Sequence, residues 1–153
     1  MMSTPDIRPG RVDERHELEA LQRRASLVWE DYRAQLLAHP DAIELPEAYL
    51  SEGRVRVAVV AGRVIGFVCL LPSTPGTAEL DGLFVEPAHW RTGVGRRLLE
   101  DAFRHARAHG IRAVEVTANP RAEEFYRRLG FVVSGRAETR FGSANRMRVE
   151  ISA

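Results

Sequence analysis

The sequence predicts a mixed α/β fold: a mostly antiparallel, twisted sheet with helices on both faces. Three observations predict it. Two helical patterns fill the stretch after the N-terminus. Residues Arg54 to Leu71 read as a tight antiparallel hairpin. Residues Ala78 to Ala118 read as strand, glycine turn, amphipathic helix and strand, an order that implies one parallel pair. At 153 residues the chain fits a single domain, residues 1–153, large enough to bury a proper core.

Ile7-Arg8-Pro9 reads as a short first strand. Asp13 is placed to cap a helix through Leu18, Leu21 and Ala25, and a second helical pattern carries Leu27, Val28, Trp29, Tyr32, Leu36 and Leu37. His39-Pro40-Asp41 breaks it, and Pro46 precedes one further helical turn. In the hairpin, Val55, Val57 and Val59 share a face, Ala61-Gly62-Arg63 turns, and Val64 to Leu71 returns. Pro72 to Gly76 is a loop. The strand Ala78 to Val85 puts Glu79 and Asp81 on one face. The next helix places Leu98, Leu99, Ala102, Phe103 and Ala106 at helical spacing and stops at Gly110. Ala113 to Ala118 is a strand, Ala122 to Leu129 a short helix ended by Gly130, and strands begin at Phe131 and at Met147.

Composition excludes several classes. No apolar run is long enough to span a bilayer, and the N-terminus lacks a signal peptide's apolar core, so the expected location is cytoplasmic, with no membrane partner. Cys69, the only cysteine, sits in an apolar strand and reads as a buried, inert thiol. All 22 basic side chains other than histidine are arginine, which removes Schiff-base chemistry and lysine self-modification. The 21 acidic residues nearly balance them, and no basic stripe with interleaved aromatics appears, so no nucleic-acid partner is expected.

The most informative segment is Trp90-Arg91-Thr92-Gly93-Val94-Gly95-Arg96-Arg97, between a strand and a helix. Glycines let the backbone approach a ligand closely, and the first helical N–H groups lack intrahelical partners and carry partial positive charge. A phosphate or pyrophosphate suits such a turn. It is not the dinucleotide fingerprint, because Leu98 stands where the third glycine is needed. Nor is it a nucleotide P-loop, which needs a lysine this chain lacks.

A second segment gives the turn its meaning. Asn119-Pro120-Arg121-Ala122-Glu123-Glu124-Phe125-Tyr126-Arg127-Arg128-Leu129-Gly130-Phe131 resembles the N-x-x-A-x-x-F-Y-x-x-x-G-F segment of the GNAT N-acetyltransferases. The glycine turn resembles that family's [QR]-x-x-G-x-[GA] signature, and Leu83-Phe84-Val85-Glu86-Pro87 matches in kind and spacing. One position departs: Trp90 stands where Gln or Arg is usual, so a side-chain contact to the cofactor is lost or replaced by indole packing.

The resemblance implies six to seven strands splayed between the fourth and fifth, acetyl-CoA as acyl donor, and no metal. It implies a cofactor site at Leu83, Phe84, Val85, Arg91, Thr92, Gly93, Val94, Gly95, Arg96 and Asn119. The backbone of Leu83 to Val85 would hold pantetheine like an added strand, with Gly82 as a bulge opening the sheet. Tyr126 matches the tyrosine that protonates the leaving thiolate; its alternative is a core aromatic. Asn119 matches an asparagine near the cofactor, with a helix cap as the alternative.

A protonated alkyl amine has a pKa near ~10, so a base must remove a proton before attack on the thioester. Glu79 is favoured slightly, Asp81 lies on the same face, and Glu115 on the neighbouring strand is third. His89 reads as a turn residue. The acceptor is a primary amine of a small molecule or peptide, in a pocket near Leu18 to Leu50 and the hairpin Arg136 to Arg146. Trp29, Tyr32 and Tyr49 are candidates to line it or to join the core. Glu30, Asp31, Glu44 and Glu47 would favour a cation there or form a solvated face. Two other functions stay open: transfer of a different acyl group, and acyl-CoA binding without catalysis. A homodimer is compatible with either.

Overall fold

The computed structural model describes residues 4–28, 30–140 and 142–152. Its elements are β1 (Asp6–Pro9), α1 (Arg15–Leu27), α2 (Glu30–Ala38), α3 (Glu47–Ser51), β2 (Val55–Val60), β3 (Arg63–Pro72), β4 (Thr77–Val85), α4 (Val94–Ala108), β5 (Ala113–Ala118), α5 (Glu123–Arg128), β6 (Val132–Thr139) and β7 (Gly142–Glu150). The seven strands form one sheet in the order β1-β2-β3-β4-β5-β7-β6, and β4 and β5 are its parallel pair. The mixed α/β class is therefore as expected. The ladder between β4 and β5 runs only from Thr77↔Ala113 to Leu80↔Val116, although β4 continues to Val85. The two strands stop pairing where the splay was expected.

The chain groups into two compact units: Met1–Cys69 with Gly82–Asp101, and Leu70–Asp81 with Ala102–Ala153. In the first, Leu18 and Leu21 of α1, Val55 and Val57 of β2, Phe67 and Val68 of β3, and Leu98 and Leu99 of α4 are fully buried. Each such side chain contributes about 1.5–3 kcal/mol of burial. Ala61 and Gly62 form the hairpin turn with positive φ at both central positions. A register shift between Ala58 and Val59 breaks the alternation, so Ala58 is buried and Val59 is not aligned with Val55 and Val57 as the sequence suggested. Arg56 of β2 grips the buried Asp101 of α4 at 2.7 Å, tying sheet to helix.

Asp13 does not cap α1 as expected: the helix starts one residue later, after Glu14, and no side chain caps it. Asp13 is exposed, whereas Glu14 is buried and accepts the Arg11 N–H at 2.9 Å and both Arg8 guanidinium nitrogens at 3.0 and 2.8 Å. A short 3-10 turn over Val12–Glu14 swings Glu14 inward and leaves Asp13 outside.

In the second unit, Leu80, Val114, Val116, Phe131 and Met147 make the core. Strand β7 begins at Gly142, five residues before the apolar signal at Met147, held there by its ladder to β6, with Ala144 buried between. α4 ends in a left-handed glycine: Gly110 has φ of 83°, and the Ile111 N–H returns to the Ala106 carbonyl at 3.0 Å. Trp29, and the side chains of Glu30, Asp31 and Tyr32, lie outside the described residues. No helix among the described residues is long and apolar enough to cross a membrane.

Candidate active site

In the first unit the glycine turn is built from its surroundings outward. The Glu86 N–H donates to the Ile65 carbonyl of β3 at 2.8 Å, and the Glu86 carboxylate takes both nitrogens of Arg24 on α1 at 2.7 and 2.8 Å. That bidentate pair holds the Glu86 carboxyl below its usual pKa. A 3-10 turn over Pro87–His89 follows, closed by the Trp90 N–H on the Pro87 carbonyl. The Thr92 hydroxyl donates to the His89 carbonyl at 2.5 Å, which confirms His89 as a turn residue.

Arg91 (φ 64°) and Gly93 (φ 87°) then adopt the left-handed conformation. For arginine this is a strained choice of the kind found at functional turns. The Arg97 N–H is the first to reach back, to the Gly93 carbonyl at 3.1 Å. Among the described residues the N–H groups of Gly93, Val94, Gly95 and Arg96 donate to no backbone carbonyl. They stand at the head of a 15-residue helix, with open space in front of Gly93 and exposed Arg91 and Arg97 beside it. Arg96 is drawn aside by Glu100 at 3.0 Å. Backbone donors, dipole and arginines together suit a pyrophosphate.

Leu83, Phe84 and Val85 lead into this turn. Phe84, half-buried, packs its ring on Phe67 with ring centroids 5.5 Å apart. A Cβ on Gly82 would lie 2.8 Å from the Phe84 ring. Gly82 thus makes room for that ring, a role the bulge reading had not foreseen.

The second unit holds the expected acid and bases. Tyr126 is buried between Phe125 and Phe131, with centroids 5.4 and 5.2 Å away. Burial pushes its phenol pKa well up, so it stays protonated. The motif residues around it each have a mechanical part. The Asn119 side-chain oxygen accepts the Arg121 N–H at 2.8 Å and shapes the turn before α5. Gly130 (φ 95°) ends the helix, and the Phe131 N–H returns to the Tyr126 carbonyl at 3.1 Å, which folds the Phe131 ring onto Tyr126.

The three carboxylates share one sheet face but differ in company. Glu79 is clamped by Arg146 at 2.6 and 2.9 Å. Arg146 also donates to the Thr117 hydroxyl at 3.0 Å and lies 3.7 Å from Glu115, which is itself 3.8 Å from Arg148. Both Glu79 oxygens are therefore engaged. Among the described residues no hydrogen bond or ion pair reaches the Asp81 carboxyl. Asp81 is exposed, and the partial desolvation of its carboxyl beside the strand raises its pKa, with a smaller push from Glu79. Arg146 is the residue that sequence reasoning missed. It is 67 residues from Glu79 and two strands away, and only the order β4-β5-β7 brings them together.

Among the described residues no three His, Cys, Asp or Glu side chains converge as a metal site. Tyr49, offered for the acceptor pocket, is half-buried, while Glu44 and Glu47 are exposed.

Comparison with known proteins agrees with this geometry. The model of the acetyltransferase (GNAT) family matches residues 18–131. The chain is 33% identical over 140 residues to the peptidyl-lysine N-acetyltransferase YjaB of Salmonella typhimurium, and the match covers 87% of each protein. Its fold is similar to a GCN5-related N-acetyltransferase from Rhodopseudomonas palustris, with a TM-score of 0.78, 22% identity and 98% of both chains covered. It is also similar to the PaiA N-acetyltransferase of Thermoplasma acidophilum, solved with coenzyme A, with a TM-score of 0.75, 22% identity and 97% and 99% coverage. The family model matches the stretch that carries both sequence motifs, and a relative a third identical spans nearly the whole chain, so the protein belongs to the GNAT family of acetyltransferases.

Proposed function

We propose that this protein transfers the acetyl group of acetyl-CoA to a primary amine, with the ε-amine of a lysine in a peptide or protein as the acceptor. The observation that carries the donor assignment is the set of N–H groups from Gly93 to Arg96, aimed away from the helix beside Arg91 and Arg97. The acceptor class rests on the name of the relative from Salmonella typhimurium, a peptidyl-lysine N-acetyltransferase. The near-balance of arginine against acid supports an amine rather than a nucleic-acid acceptor. The intracellular supply of acetyl-CoA makes the cytoplasm the natural place for this reaction.

Acetyl-CoA supplies an activated thioester. The turn from Arg91 to Arg96 would hold its pyrophosphate, and the backbone of Leu83 to Val85 would align its pantetheine arm; Asn119 matches the family's asparagine and would supply an amide contact. Asp81 takes the amine's proton, directly or through a water. We assign this to Asp81 rather than Glu79, because Arg146 already engages one lone pair on each Glu79 oxygen, whereas no cation among the described residues engages Asp81. Tyr126, the match to the family's tyrosine, donates a proton to the departing sulfur; its buried phenol is protonated and so carries the proton to give.

Thermal unfolding with CoA, ATP or NAD tests the donor. CoA at about 100 times its dissociation constant adds about 2.7 kcal/mol to a protein that binds it, and ATP and NAD are expected to add nothing. A screen of lysine peptides, free amines, polyamines and aminoglycosides, read by thiol release, tests the acceptor. Tight CoA binding with no transfer to any amine would point instead to a binding module. Replacing Tyr126 by Phe should slow turnover about a hundredfold while leaving acetyl-CoA affinity nearly intact. Equal losses in both would make Tyr126 structural.

A further inference from the structure

Trp90 occupies the position where the signature has Gln or Arg, and its side chain does not point idly outward. Its indole N–H donates to the Val85 carbonyl at 2.7 Å. The direction of that carbonyl follows from the peptide it belongs to. The Glu86 N–H of the same planar unit points to Ile65 on β3, so the Val85 carbonyl points the opposite way, to the other edge of β4. That is the edge on which the ladder to β5 has ended at Leu80. Trp90 thus satisfies the last carbonyl of the strand end that leads into the phosphate turn.

The bond closes a loop. Residues 86–89 are tied at one end by Glu86 to Ile65 and Arg24, and at the other by Trp90 to Pro87 and Val85. The strained Arg91 and the Thr92 hydroxyl bond follow directly. An indole has two side-chain torsions and loses little entropy when fixed, unlike the long chains of Gln or Arg.

Resting on the cofactor reading above, we propose that Trp90 is a positioning residue for the acyl donor. It gives up a direct side-chain contact to the cofactor. In exchange it holds the strand end and the glycine turn in the binding geometry before the cofactor arrives.

W90F keeps a ring and removes the N–H. Losing one such bond corresponds to about a three- to tenfold change in equilibrium. In W90F the CoA dissociation constant, measured by calorimetry, and KM for acetyl-CoA should both rise by that factor, with kcat within about twofold. W90H, assayed at pH 8, restores a ring N–H and should bind CoA better than W90F. CoA affinity in W90F equal to wild type overturns the proposal, as does W90H no better than W90F, which would leave ring packing as the cause. A wild type that fails to bind CoA at all overturns the acetyltransfer reading itself and the role of Trp90 with it.

Discussion

Asp81 and Glu79 differ by two positions on one strand, and their chemistry is separated by a single arginine. Arg146 engages Glu79 and leaves Asp81 as a desolvated carboxylate without a cation. Because its pKa is raised on folding, Asp81 lowers stability as pH rises from the unfolded-state value through the folded one. Asp81→Asn should therefore leave Tm at pH 7 unchanged or higher while kcat/KM falls about a hundredfold. Glu79→Gln should do the reverse, lowering Tm more than kcat. The acid limb of the kcat/KM profile should sit above the usual aspartate range and vanish in Asp81→Asn. A normal profile in that variant would remove Asp81 from the mechanism.

Among the elements, the turn into α4 carries the most function per residue. Gly93 has a φ of 87° and no neighbour within 4 Å of a would-be Cβ. A side chain there meets only backbone strain, about 1–2 kcal/mol, and the space in front of the turn. Gly93→Val should lower Tm by only a few degrees yet weaken CoA binding by more than tenfold, as measured by calorimetry. This turn was legible in the sequence because glycines, arginines and an apolar helical repeat are all local signals. The α5 motif was legible for the same reason: Asn119, Gly130 and Phe131 each act within a dozen residues of Tyr126. The start of α1 was not legible, since a 3-10 turn over Val12–Glu14 precedes it and turns the Glu14 carboxylate back to the Arg11 N–H, leaving Asp13 exposed.

For the molecule as a whole, acid stability should follow the carboxylates paired in the folded state. Arginine hydrogen bonds hold Glu14, by Arg8, and Glu86, by Arg24, below the usual carboxylate range. Their contribution is present above the unfolded-state pKa and is lost as pH falls through the folded values. Urea midpoints should drop between pH 5 and pH 3, and Glu14→Gln should make that drop smaller. An unchanged drop would place the acid sensitivity elsewhere. The sequence by itself determined the α/β class, the hairpin, the parallel crossover, the glycine turn and the tyrosine segment. All of these rest on periodicity or on residues close together along the chain. Only the tertiary structure decided that Arg146 clamps Glu79, that Trp90 bonds the Val85 carbonyl, and that the β4–β5 ladder ends at Leu80. The first depends on strand order, the second on the direction of one peptide plane, and the third on where a ladder stops. Such quantities are set by packing between distant segments, and no local pattern of residue types encodes them.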